Sequence, residues 1–147
     1  MQNKNFQSIN WDKNFTERYV ICNQCALARN ALVIEDGTRL NLFTKFKKLN
    51  FITTQAFAYY YNPDIDYEYE VTPSKTNPLL LLPSKERAIV ECIKWLDYVD
   101  EGVLIEALQS YLDYFWSDRI YEVGNHFGVN KETLDYWFKE AREDEEV

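Results

Sequence analysis

The feature that most constrains the fold is a helical repeat of apolar residues in the C-terminal half of the chain. Between residues 101 and 115, apolar side chains recur at spacings of three and four, at Leu104, Ala107, Leu108, Tyr111, Leu112 and Phe115. An earlier segment has the same spacing at Ile89, Cys92, Ile93 and Leu96. Such spacing puts the apolar side chains on one stripe of an α-helix. The sequence therefore predicts amphipathic helices that pack their stripes into a shared core.

Capping residues divide this half into about four helices, over residues 83–142. Ser84, Ser117 and Asn130 are residue types that accept hydrogen bonds from the first backbone N–H groups of a helix, so each is predicted to begin one. Gly128 is predicted to end the third helix, because glycine adopts the left-handed conformation that closes many helices.

The first 82 residues instead predict strands. Residues 64–71 alternate strictly between carboxylates and apolar side chains, which is typical of a half-buried strand with an acidic outer face. Residues 52–61 and 79–82 are also expected to be strands, since they are rich in apolar, aromatic or β-branched residues. Two short runs, 31–34 and 39–43, flank an acidic-glycine turn and are interpreted as a hairpin.

Together these elements predict an α+β fold in a single domain, residues 1–147. Residues 16–29 predict a further helix, although the β-branched Val20 and Ile21 disfavour it. A small, mostly antiparallel sheet in the N-terminal half would be packed by a C-terminal bundle of about four helices. A chain of this length can bury one proper core.

The charge is unevenly distributed along the chain. Of a formal net charge of −8, residues 1–57 carry 8 Lys/Arg against 4 Asp/Glu, and residues 58–147 carry 8 against 20. An acidic surface opposes the phosphate neutralisation on which DNA affinity depends, so DNA binding by the second half is disfavoured. Lys45, Lys47 and Lys48 form a basic patch that could meet an anionic partner; a solvated surface loop is the alternative.

Composition also predicts where the protein works. No segment has the roughly 20 apolar residues that span a bilayer, and residues 1–11 lack the apolar core of a secretory signal. A cytoplasmic protein without a membrane partner is expected. Cys22, Cys25 and Cys92 are an odd number, which disfavours a disulfide framework.

Catalytic and metal motifs are weak. Cys22 and Cys25 have metal-ligand spacing, but a structural zinc site needs four ligands, and only Cys92 and His126 remain as candidates. Buried thiols that pack as small apolar groups are the preferred interpretation. The chain has one histidine, no serine in a nucleophile elbow and no glycine-rich phosphate loop, so no enzyme activity and no cofactor are expected.

Two alternative functions stay open. The carboxylates of residues 64–70 could bind Mg²⁺ in a metal-dependent nuclease, although Lys75, the lysine that such a site needs, lies off the predicted strand. Residues 119–138 fit a helix-turn-helix, with Gly124 at the helix contact and Gly128 in the turn. A DNA-binding regulator would also need donors aimed at base edges, and half of the polar residues on the second helix are carboxylates.

The segment LPSKERAIVE, residues 82–91, resembles AbiEi-type antitoxins of bacterial toxin–antitoxin and abortive-infection systems, at the point where a strand leads into a helix. Residues 103–108 and 120–141 resemble the helices that follow, so the similarity covers about residues 65–142. The resemblance implies a non-enzymatic antitoxin whose functional partner is a nucleotidyltransferase-like toxin encoded nearby. Family members usually carry an N-terminal winged helix that binds their own promoter, and the first 60 residues do not resemble one.

Within that segment, Glu86 and Arg87 are the candidate structural or interaction residues. Glu86 is predicted to lie in the first turn of a helix, where the helix dipole favours a carboxylate. Arg87 is predicted to pair with a carboxylate, either Glu70 on the preceding strand or Glu91 one turn on.

Overall fold

The computed structural model describes residues 18–37, 39–51 and 54–146. Its strands are β1 (Tyr19–Ile21), β2 (Leu40–Thr44), β3 (Phe57–Tyr61), β4 (Val71–Pro73) and β5 (Leu80–Pro83). Its α-helices are α1 (Asn23–Arg29), α2 (Lys85–Lys94), α3 (Glu101–Ser110), α4 (Arg119–Phe127) and α5 (Lys131–Glu146). A π-helical turn, Tyr111–Phe115, continues α3, and short 3-10 helices cover Lys47–Phe51 and Leu96–Tyr98. The prediction of an α+β fold is confirmed.

The five strands form one sheet in the order β3-β2-β1-β5-β4. β1 and β2 are antiparallel, as are β4 and β5, whereas β2 pairs with β3 and β1 with β5 in parallel. The sheet is therefore mixed, and the prediction of a mostly antiparallel sheet is wrong. Parallel neighbours need a long connection between them. The hydrophobic pattern of each strand carries no information about which connection is used.

The strand predicted over residues 64–71 does not form, and only Val71 of that segment enters β4. Asp66 explains the difference, because its Oδ1 accepts hydrogen bonds from the backbone N–H groups of Glu68 at 2.8 Å and Tyr69 at 3.0 Å. An aspartate that binds the backbone two and three residues ahead stabilises a turn instead of a strand. Glu70 then has φ +57°, a left-handed conformation incompatible with a continuous strand.

Two further predictions in the N-terminal half are corrected. The helix expected over residues 16–29 is, in its described part, β1 followed by α1, since the β-branched Val20 and Ile21 lie in a buried strand. The expected hairpin is wrong as well: residues 31–34 form no strand, and β2 pairs with β1. The strand over 52–61 is present as β3, and residues 52 and 53 lie outside the described residues.

The four helices expected in the C-terminal half are all present, as α2 to α5. Ser84 Oγ accepts from Arg87 N at 3.2 Å at the start of α2. Asn130 Oδ1 accepts from Thr133 N at 2.8 Å before α5. The prediction that Ser117 begins α4 is off by one residue, because Asp118 directly precedes the helix; Ser117 Oγ accepts from Arg119 N at 3.2 Å. Gly128 ends α4 with φ +79°, as predicted.

The two faces of the sheet carry separate apolar clusters. The helical side buries Tyr19 and Ile21 of β1 together with side chains from the helices. The opposite face buries a smaller cluster of Val20, Cys22, Phe43, Ile65 and Leu81. Alternate residues of β1 point to the two sides, as the pleat requires. Among the described residues, every helix is too short or too polar to cross a membrane.

Candidate functional site

Arg87 lies at the centre of a polar cluster between the sheet and the helices. Its side chain has no exposed surface, and its Nη2 donates to Glu91 Oε2 at 3.0 Å. Its Nη1 donates to the backbone oxygen of Tyr69 at 2.7 Å, and the guanidinium lies 4.9 Å from the ring centroid of Phe127. The predicted pairing with Glu91 is confirmed, whereas Glu70 has a different partner.

Glu86, one residue earlier, ties α2 to the segment after α3. Its Oε2 accepts from Tyr111 Oη at 2.8 Å, and its Oε1 accepts from Arg119 Nη2 at 3.2 Å. Arg119 also pairs with Glu70 at 2.7 Å, and this hydrogen bond is the main reason that the pKa of Glu70 is lowered. Ser84 Oγ donates to the same Glu70 carboxylate at 2.8 Å. Glu86 is in the first turn of α2, as predicted.

This cluster joins α2 to residues 69–70, to Tyr111 after α3 and to Arg119 of α4, and Arg119 is its exposed member. Glu91 is buried, and burial raises its pKa. A dissolved substrate therefore cannot reach Arg87 or Glu91. The two side chains form an ion pair with each other. Sequence reasoning did not find Arg119 or Tyr111, because they are separated from Glu86 by 33 and 25 residues and no local pattern links them.

The carboxylates of residues 64–70 do not share one face. Asp66 Oδ2 lies 2.9 Å from His126 Nε2, and the His126 ring stacks on Tyr69 with centroids 3.7 Å apart. Partial burial raises the pKa of Asp66, but hydrogen bonds from the Glu68 N–H, His126 and the Tyr69 N–H outweigh it and lower the pKa to about 2. Glu70 is taken up by Arg119. Within residues 18–37, 39–51 and 54–146, no three His, Cys, Asp or Glu residues are grouped to hold a metal.

The Cys22 and Cys25 side chains are buried free thiols. Cys25 Sγ donates to the backbone oxygens of Arg39 at 2.9 Å and Asp36 at 3.1 Å. Burial raises the pKa of Cys25 to about 11 and raises that of Cys22 as well. Cys92 is buried on α2, and His126 is bound to Asp66. The thiols are therefore protonated at neutral pH and pack among apolar groups, which agrees with the preferred interpretation.

The helix pair predicted over residues 119–138 is α4 and α5. A Cβ built on Gly124 would lie 2.6 Å from the backbone oxygen of Val129 and 2.8 Å from Leu134 Cδ1. Glycine is therefore required at the helix contact, as the motif predicts. On α5 the exposed Lys131 pairs with Asp135 at 2.8 Å, so this cation is partly neutralised before any phosphate could approach.

Lys45, Lys47 and Lys48 are all exposed, and the last two lie on the first 3-10 helix. Lys45 Nζ is 5.0 Å from the ring centroid of Tyr67. The predicted basic patch is therefore a surface feature, and its Lys45 lies beside Tyr67, in the turn of residues 66–70.

Two exposed aromatic residues escaped the sequence analysis. Tyr114 is 79% exposed and Trp116 is 45% exposed, both at the end of the π turn. The Trp116 ring is held by edge contacts with Phe138 at 5.3 Å, Tyr111 at 5.9 Å and Tyr121 at 6.0 Å. The signal was present in the sequence, because positions 114 and 116 lie off the apolar stripe that ends at Phe115.

These observations define an α+β protein whose buried charges fasten its elements together and whose exposed aromatic side chains are available for contact. The sequence matches no protein-family model, and no curated protein is significantly similar to it.

Proposed function

We propose that the chain is a non-enzymatic regulatory protein of the AbiEi antitoxin type, which counters a nucleotidyltransferase-like toxin by binding another protein. The observation that carries the proposal is the pair of exposed aromatic residues, Tyr114 and Trp116, on the acidic helical half. The resemblance at residues 82–91 supports it, since that segment is where Ser84 caps α2 and where Glu86 and Arg87 fasten α2 to its neighbours.

Exposed tyrosine and tryptophan are suited to this role. They are among the residue types that contribute most to protein–protein binding, because they bury a large area while few rotamers are lost. Trp116 is already oriented by three surrounding rings. Single-turn π segments such as Tyr111–Phe115 are frequent at functional sites, and this one contains Tyr114 and is followed directly by Trp116.

The charge of the surroundings indicates the chemistry of the partner. Asp113 and Asp118 flank the two aromatic residues in the sequence and are exposed, within a half of the chain that carries 20 Asp/Glu against 8 Lys/Arg. Asp113 is paired with Arg142 at 2.7 Å, which partly neutralises it. A surface of this kind is complementary to a protein rich in arginine and lysine, whose side chains can pair with carboxylates and lie over aromatic faces.

Growth rescue tests the proposal. A nucleotidyltransferase toxin is expressed in bacteria together with the full chain, and we expect the wild type to restore growth. The double variant Tyr114→Ala/Trp116→Ala should lose rescue, since each interface aromatic contributes about 2 kcal/mol, roughly 30-fold in affinity. Tyr98→Ala, at an exposed tyrosine on another surface, is the matched control and should still rescue.

Melting temperatures of the wild type and of the two variants exclude misfolding as the cause of any loss. Absence of rescue by the wild type, or full rescue by the folded double variant, would contradict the proposal. The two alternatives have less support: the nuclease would need Asp66, which is bound to His126, and the DNA regulator would need Lys131, which is bound to Asp135.

A further inference from the structure

The face of the sheet opposite the helices carries a set of aromatic rings and lysines, here called the aromatic–lysine face: Tyr60, Tyr67, Trp95, Tyr98, Lys45 and Lys94. Tyr60, Tyr67 and Trp95 are partly exposed and pack on the second apolar cluster. Tyr98 is more exposed, and its ring centroid lies 5.0 Å from that of Tyr60. We infer that this face binds an unpaired strand of nucleic acid, with bases stacked on the rings and phosphates contacted by the lysines.

The rings pack on buried side chains of the sheet. The buried Phe43 of β2 makes an edge contact with Trp95, with centroids 5.1 Å apart. Tyr60 is part of β3, whose register with β2 is continuous from Leu40 to Thr44. Rings that are ordered before binding lose little entropy when a base stacks on them. Single-stranded nucleic acids are commonly bound by aromatic side chains on such platforms.

The lysines are placed where phosphates would run. Lys45 Nζ lies 5.0 Å from the ring centroid of Tyr67, and Lys94 Nζ lies 5.0 Å from that of Trp95. The ammonium of Lys45 over the partly exposed Tyr67 ring is weakly held. A base can therefore replace it on the ring while the ammonium moves to the adjoining phosphate, which is a stronger partner. The Lys45–Tyr67 pair thus offers one stacking position and one phosphate contact. Lys94 also donates to the backbone oxygen of Phe127 at 2.7 Å, so its ammonium stays in place and would contact a phosphate through its remaining donors.

Positive charge at this face comes from Lys45 and Lys94. Lys47 and Lys48 are exposed on the 3-10 helix that follows Lys45 in the chain. Asp97 is exposed beside Tyr98, so a base is expected at Tyr98 and phosphates are expected near Lys45 and Lys94. A duplex hides the faces of its bases and could use only the lysines. An acidic peptide would likewise leave the rings unused.

Fluorescence anisotropy with the full chain tests the inference. The probes are labelled oligouridylate and oligodeoxythymidylate of about ten nucleotides, at low salt. Because stacking tolerates either sugar, binding of either strand supports the inference. Tyr98→Ala should weaken binding roughly tenfold without changing the salt dependence, and Tyr98→Phe should keep most of the affinity because the ring remains. Tyr136→Ala, at an exposed tyrosine on α5, is the control.

The lysines are tested by the salt dependence itself. Lys45→Gln should reduce the slope of log K against log salt by about 0.7, the change expected for one lost phosphate contact on a single strand. Lys139→Gln, at an exposed lysine of the acidic half, is the matched control and should leave the slope unchanged. All variants are compared by melting temperature first.

Three outcomes would overturn the inference: no binding of either oligonucleotide at low salt, equal binding of a duplex or a polyglutamate peptide, or unchanged binding by the folded Tyr98→Ala and Lys45→Gln variants. The inference does not depend on the antitoxin proposal. Toxin rescue is tested at Tyr114 and Trp116, so the two hypotheses can fail separately.

Discussion

Arg87 is fully buried, and both terminal nitrogens of its guanidinium donate to acceptors held by neighbouring elements. Glu91 is one turn away on the same helix, and the backbone oxygen of Tyr69 comes from the turn segment. The ring of Phe127 covers the guanidinium. Two polar atoms of the pair, Arg87 Nε and Glu91 Oε1, have no hydrogen-bond partner among the described residues. The pair therefore costs desolvation, and it contributes stability only while both members are present.

We predict that Arg87→Ala destabilises the protein by about 3–5 kcal/mol, because it leaves the buried Glu91 carboxylate unpaired. Arg87→Lys should recover only part, since an ammonium cannot hold Tyr69 O and Glu91 in the geometry of a guanidinium. Urea unfolding measures both. Arg142→Ala, which removes the exposed pair with Asp113, is the control and should cost at most about 1 kcal/mol.

The double variant Arg87→Met/Glu91→Leu removes both charges and should be more stable than Arg87→Ala. If Arg87→Ala unfolds at the same urea concentration as the wild type, the structural role assigned to Arg87 is wrong.

At the scale of elements, the contact between α4 and α5 depends on a glycine. The short turn after α4 begins with Gly128, and the chain then returns so closely that Val129 lies against the surface of α4 at Gly124. Val129 N donates to Gly124 O at 2.8 Å, which fixes this approach. The sequence motif predicted the contact because its glycine spacing reflects this local geometry.

Gly124→Ala should destabilise the protein by about 1–3 kcal/mol, because the added methyl group meets a backbone oxygen that cannot move independently. The effect opposes helix propensity, which favours alanine over glycine by about 1 kcal/mol. Gly102→Ala is the control, since its Cβ would meet only the Asp100 carboxylate, at 3.0 Å, and its loss should be smaller. Thermal melting at or above the wild-type temperature for Gly124→Ala would disprove the close contact.

At the scale of the whole molecule, the segment of residues 66–70 fastens the sheet side to the helices. Asp66 binds His126 of α4, the Tyr69 backbone binds Arg87 of α2, and Glu70 binds Arg119 at the start of α4. Two of the three ties use carboxylates whose pKa values are lowered in the folded protein. The stability of the whole fold is therefore expected to depend on acid pH.

The direction follows from proton linkage. A carboxyl group whose pKa is lowered by folding stabilises the folded state above its unfolded pKa, and that contribution is lost as pH falls through the folded pKa. For Asp66 the window runs from 3.8 down to about 2. We expect the melting temperature of the wild type to fall in this window. Asp66→Asn keeps an oxygen for the turn but does not titrate, so its deficit relative to the wild type should shrink as pH falls. A deficit independent of pH would contradict this origin.

The sequence by itself determined the helical half, the starts of α2 and α5, the end of α4 and the glycine contact. Ser84, Asn130 and Gly128 act within three residues of their own position, and the apolar stripe needs only the helical period. The same local reasoning found the Arg87–Glu91 pair, which is one turn apart. It also identified the basic patch, though not the aromatic rings beside it.

Only the tertiary structure decided the mixed sheet, the turn at residues 66–70, the partners of Glu86 and the composition of the aromatic–lysine face. The alternation at residues 64–71 satisfies a strand, but Asp66 gains two backbone hydrogen bonds and His126 by forming a turn, and His126 is 60 residues away. Strand neighbours and ion pairs between distant residues depend on the free energy of the whole folded chain. The spacing of residues within a short segment does not report that free energy.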